Sequence, residues 1–81
     1  MVNYYDGREM IMELSSIQTR LRECIKNSGI SQKVIAAEIG VSPQTVSKYM
    51  KQDIFPALDT LAKLCKLLDV SADYILGIEK Y

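Results

Sequence analysis

The sequence predicts an all-α fold, a single compact domain of five short helices. Three observations carry this. Apolar residues recur three and four apart through five segments, with no sustained strand-like alternation. Helix punctuation bounds the segments, with serines before most of them and Gly or Asp after them. The chain of 81 residues, 48% apolar, suffices for one core.

Residues 1–14 are read as an N-terminal arm or extension ahead of a domain at 15–81. Asp6-Gly7 is a turn signal between Tyr4-Tyr5 and Arg8-Glu9-Met10-Ile11, so a small hairpin, a flexible arm and an early start to the first helix all fit. Met10, Ile11, Met12 and Leu14 call for cover from the core or from another subunit.

Ser15 or Ser16 is the expected cap of the first helix. Ile17, Leu21, Cys24, Ile25 and Ser28 recur along it until Gly29 supplies a left-handed end. Arg20, Arg22, Glu23 and Lys26 fall outside that stripe. Ser31 caps a second helix from Gln32, packed through Val34, Ile35 and Ile39 with the small Ala36 and Ala37, and closed by Gly40.

The link Gly40-Val41-Ser42 runs straight into a third helix. Ser42 is its N-cap, and Pro43 takes the first helical position, where a missing N–H costs nothing. Val46, Tyr49 and Met50 make one buried stripe. Gln44, Thr45, Ser47, Lys48 and Lys51 occupy the other faces, with no acid among them. Two short helices joined by about three residues including Gly form a helix-turn-helix. Ala36 leaves the room that their close approach needs. Taken alone, the third helix suits a nucleic-acid groove and equally an ordinary solvated surface.

In the loop that follows, Pro56 biases Phe55 away from the helical region. The fourth helix, 58–68, reads as apolar nearly all round, through Leu58, Leu61, Ala62, Leu64, Cys65, Leu67 and Leu68, and so as the centre of the core. Asp69 takes the left-handed position after it. Ser71 caps a last helix, 72–76, ended by Gly77.

Composition excludes several classes. No apolar run approaches the roughly 18 residues of a membrane span, and the N-terminus lacks the basic-then-apolar pattern of a secretory signal. A cytoplasmic protein is expected. Cys24 and Cys65 sit inside helical apolar patterns and read as small hydrophobes rather than as a disulfide. With no histidine, two distant thiols do not complete a zinc site without carboxylates, so no metal and no cofactor are expected. Ser47 and Lys48 are neighbours about 100° apart on one helix and do not form a nucleophile–base pair. No catalytic residues are expected, and the chain does not read as an enzyme.

The formal charge is zero, a poor global footprint for a nucleic-acid binder. Its distribution is uneven. From Arg20 to Lys51 six bases (Arg20, Arg22, Lys26, Lys33, Lys48, Lys51) stand against Glu23 and Glu38, a balance of +4. The flanks, 1–19 and 52–81, each carry −2.

Four runs occur in order. They are Gly29-Ile-Ser-Gln, Ile35-Ala-Ala-Glu-Ile-Gly-Val-Ser-Pro-Gln-Thr-Val-Ser-Lys-Tyr, Pro56-Ala-Leu-Asp-Thr-Leu-Ala-Lys-Leu and Val70-Ser-Ala-Asp-Tyr-Ile-Leu-Gly. As a set they resemble the XRE family of lambda-repressor-like helix-turn-helix regulators, over about residues 17–78. The resemblance implies a compact five-helix domain with the DNA-reading unit at helices two and three. The third helix would lie in the major groove, and a dimer would span a palindromic operator in double-stranded DNA.

By position, Pro43, Gln44, Ser47 and Lys48 match residues that face base edges in the family. Gln44 suits a bidentate pair with adenine, and Lys48 suits guanine O6/N7. Ser31, Gln32, Ser42 and Lys51 match residues that hold phosphates, helped by the first N–H groups of the second helix. Thr45 suits either role.

The chain also departs from the family. Many members pair an arginine of the first helix with a glutamate late in the third; here those positions are Ile25 and Met50. Losing both charges together is physically consistent, because only the loss of one partner strands a buried charge. Lys51-Gln52-Asp53 lacks the family's usual glycine, so the turn that carries the Lys51 contact differs in shape. Ala57 stands where many members have a capping Ser or Thr.

Two functional readings follow. One is a sequence-specific transcriptional regulator, a repressor and homodimer without a sensor domain, of the kind that serves mobile elements. The other is an antitoxin or protein-interaction module on the same fold. It would meet a toxin or anti-repressor through apolar ends at Met10–Leu14 and at Tyr74, Ile75, Ile78 and Tyr81.

Overall fold

The computed structural model describes residues 14–51 and 54–78. It contains five helices in chain order: α1 Leu14–Asn27, α2 Gln32–Ile39, α3 Pro43–Lys51, α4 Leu58–Leu68 and α5 Ala72–Leu76. The arm or hairpin expected over 1–13, the apolar Met10–Met12, Gln52-Asp53 and Tyr81 lie outside the described residues.

The helix boundaries have local causes. Ser31 stays extended and its hydroxyl accepts the Val34 N–H, while Ser71 does the same for Tyr74. Gly40 and Gly77 adopt the left-handed conformation, and so does Asp69 at φ 57. At the first boundary the serine cap is not found, and the earlier helix start that also fitted the sequence is. Helix is already present at Leu14, so Ser15 and Ser16 lie inside α1 instead of capping it. There the Ser15 carbonyl accepts the Thr19 hydroxyl at 2.9 Å.

Ala57 offers α4 no side-chain cap, and Thr60 N–H turns to the Asp59 carboxylate at 2.9 Å. Ala57→Ser should therefore raise stability by about 0.5 kcal/mol, the low end for a new cap, because Asp59 already takes one of the orphan donors. Chemical denaturation would show it; no gain would mean that Asp59 does all the capping this end can use.

The core is built from all five helices. Leu21 and Ile25 come from α1, Ile35, Ala36 and Ile39 from α2, and Val46, Tyr49 and Met50 from α3. Leu61 and Leu64 come from α4, and Ile75 from α5. α2 packs on α3 and α4, while α1 packs on α3 and α5. Ile25 and Met50, standing at the positions of the family's charge pair, are both buried hydrophobes.

Two packing expectations are corrected. α4 is not buried all round: only Leu61 and Leu64 face fully inward, Ala62 is exposed, and Leu58 is 85% exposed. In α2, Ile35, Ala36 and Ile39 share the inner face. Val34 and Ala37 sit outside it and are exposed. In both helices the inward arc is set by the two neighbours each touches, and an apolar residue outside that arc stays in water.

The cysteines are half-buried and unbridged. Burial pushes the Cys24 thiol up, with Cys65 and Glu23 adding to it, and burial also pushes Cys65 up. Both stay protonated near neutral pH. Among the described residues no helix is long and apolar enough to cross a membrane.

Candidate nucleic-acid interface

The turn between α2 and α3 sets the site. Gly40 N–H and Val41 N–H both donate to the Ala36 carbonyl, at 2.9 and 3.0 Å, closing α2 in a left-handed turn. Gly40 has φ +78, and a Cβ built there would meet nothing within 4 Å. Gly40→Ala therefore carries only the backbone penalty, about 1 kcal/mol of stability. A shift in the denaturation midpoint with an unchanged slope would confirm it; no shift would mean that the turn relaxes freely.

α3 then begins on Ser42. Its hydroxyl accepts the Thr45 N–H at 3.1 Å, and its Oγ lies 2.9 Å from Thr45 Oγ1. Val46, Tyr49 and Met50 anchor the inner side of α3. Gln44, Lys48 and Lys51 recur four and three apart on the outer side, all exposed. Pro43 is exposed at the start, whereas Thr45 and Ser47 are half-buried on the flanks. At α2, Ser31 is exposed and Gln32 half-buried. The nine residues singled out in the sequence thus occupy the N-terminal end of α2 and the outer and flanking faces of α3, and none is buried.

The hydroxyl chemistry is specific. A serine hydroxyl has one donor and two acceptor positions. Capping Val34 uses an acceptor of Ser31 and leaves its proton for an external oxygen. Ser42 keeps its proton only if Thr45 supplies the one between them, so these two hydroxyls have one free donor between them. Thr45 is therefore tied to its own helix start and is less available to an external partner than the exposed Gln44 or Lys48.

Sequence reading missed the side chains that hold this helix from behind. Gln18, buried, donates from Nε2 to the Tyr49 carbonyl at 3.4 Å, and Arg22 donates from Nη1 to the Met50 carbonyl at 3.3 Å. Arg20 Nε donates to the Ile75 carbonyl at 3.0 Å, and a Cβ at Gly77 would run into its guanidinium. The available signal was spacing: Gln18, Leu21, Arg22 and Ile25 lie within one face of α1. Ile75, expected in an apolar surface patch, is core; Tyr74 and Ile78 beside it are exposed. Among the described residues no group of three or more His, Cys, Asp or Glu is placed to hold a metal ion.

The helix-turn-helix family model HTH_3 matches residues 21–75. The chain is 37% identical over 62 residues to the HTH-type transcriptional regulator ImmR of Bacillus subtilis, covering 76% of this chain and 49% of ImmR. It is 37% identical over 59 residues to the uncharacterized HTH-type transcriptional regulator YobD of the same organism, covering 73% and 53%. A third relative there is the SPbeta prophage-derived uncharacterized HTH-type transcriptional regulator YonR, 39% identical over 57 residues, covering 70% and 53%. The chain thus spans about half the length of the curated relatives it matches. No solved structure matches it significantly.

Proposed function

This chain belongs to the XRE-type helix-turn-helix family HTH_3, and from that premise we propose that it is a sequence-specific double-stranded DNA-binding regulator that represses transcription. The observation that carries the reading is the division of α3 into a buried stripe and an outer face of amide and ammonium groups without an acid. In this proposal α3 enters the major groove. Gln44 pairs with adenine, Lys48 reaches guanine, Pro43 and Ser47 line the bases, and Thr45 contributes at the edge. Ser31, Gln32, Ser42 and Lys51 hold phosphates.

One such module covers a modest surface, so two copies on a palindrome supply the affinity. The protein acts in the cytoplasm as a homodimer, by binding and not by catalysis. Service to a mobile element fits the prophage-derived name of one relative.

Selection of bound duplexes from a random library, with protein mass recorded in solution, tests this. An enriched palindrome with half-sites about one helical turn apart, and a dimer mass, is the expected result. No enrichment from folded protein would refute it. The second reading, an antitoxin or interaction module meeting a toxin or anti-repressor, draws on the exposure of Leu58, Tyr74 and Ile78. A stoichiometric co-purifying protein, with DNA affinity insensitive to salt, would favour it.

A further inference from the structure

An α-helix leaves its last four carbonyls without intrahelical partners. In α3 two of these, on Tyr49 and Met50, receive side chains from α1. Gln18 and Arg22 stand four apart on one face of α1 and donate at 3.4 and 3.3 Å. Arg22 is itself held: its Nη2 donates to Thr19 Oγ1 at 3.5 Å, and the Thr19 hydroxyl donates to the Ser15 carbonyl at 2.9 Å. Gln18 is only 8% exposed. An amide taken that far out of water needs a hydrogen bond to offset its desolvation, and the α3 carbonyl supplies it.

Around these bonds, Ile17, Leu21 and Ile25 of α1 and Val46, Tyr49 and Met50 of α3 are buried in one apolar core. Apolar burial is non-directional and leaves a helix some freedom to roll or slide. Hydrogen bonds restrict that freedom, and a guanidinium at a helix C-terminus is also favoured by the helix dipole.

We infer that Gln18 and Arg22 are positioning residues for DNA reading. They fix the roll and height of the C-terminal half of α3, so that Lys48 meets its base at hydrogen-bonding distance. This rests on the base-reading role proposed above. The N-terminal half of α3 is fixed separately by the Ser42 cap, so Gln44 depends on the α1 clamp much less.

The test compares wild type with Gln18→Met, which keeps the bulk and removes the donor, Arg22→Ala, and Arg22→Lys, which restores a donor. Each is assayed well below its melting temperature, on the selected duplex and on duplexes changed at single base pairs. Discrimination at the base pair read by Lys48 should fall about tenfold in Gln18→Met and Arg22→Ala, within the range of a lost base contact. Discrimination at the Gln44 base pair should change little, the salt slope should hold, and Arg22→Lys should recover most of the loss.

Lower melting temperature with unchanged discrimination would reduce both residues to structural supports and overturn the inference. Equal loss on every duplex, with the salt slope reduced by about 1, would make Arg22 a phosphate contact instead and also overturn it. If wild type itself shows no discrimination, the DNA-reading proposal fails first. The positioning claim is then judged on DNA-free protein. Amide NMR shifts at Lys48–Lys51 that stay unmoved in both variants sink it too.

Discussion

Leu64→Ala should lower the unfolding free energy by about 3 kcal/mol, inside the roughly 2–5 kcal/mol range for emptying a buried leucine site. Leu64 has no exposed surface, and its helix α4 packs on α2 and α5. The lost transfer energy is joined by a cavity term, because the surrounding structure relaxes only partly around the gap. A domain of this size has on the order of 5 kcal/mol in total, so the variant would be marginal at 37 °C. Leu58→Ala, six residues earlier on the same helix, should change stability by less than about 0.5 kcal/mol, because its side chain is already in water. Urea denaturation at two protein concentrations measures both. Comparable losses would restore the reading of α4 as buried all round, and a concentration-dependent loss for Leu58→Ala would place that leucine in a subunit contact.

Gln44→Ala should cost about 1–3 kcal/mol on the selected site and relax preference at one base pair per half-site. Gln44 is exposed on the outer face of α3. Truncating it leaves the Val46, Tyr49 and Met50 anchor intact, so thermal stability should hold while specificity drops. Lys51→Ala forms the contrast. A phosphate contact carries no sequence information, so affinity should weaken about equally on every duplex and the salt slope should fall by about 1. Titrations of both variants against matched and changed duplexes at several salt concentrations separate the roles. Uniform loss for Gln44→Ala would remove it from the base-reading set.

These expectations differ in how far they could be read from the chain alone. The Gln44 and Lys51 roles come from family position alone; helical spacing indicated only that both lie off the buried stripe, and the helix that carries them spans the residues expected. The contrast between Leu64 and Leu58 could not be read that way. Both are leucines in one amphipathic segment, and hydropathy ranks them equally.

What the sequence by itself determined is whatever depends on residues within about four positions of each other. Ser31, Ser42 and Ser71 cap the N–H three residues on, and Gly40, Asp69 and Gly77 turn left-handed where the helices stop. These bonds close within one turn, so local chemistry settles them, and with them the helix-turn-helix and the family. Tertiary structure alone decided which side of each helix faces a neighbour. It turned Val34, Ala37, Leu58 and Ala62 outward, and sent Gln18, Arg22 and Arg20 to carbonyls 31, 28 and 55 residues away. Burial and long-range hydrogen bonds depend on which surface arrives opposite a residue, and that surface belongs to another part of the chain.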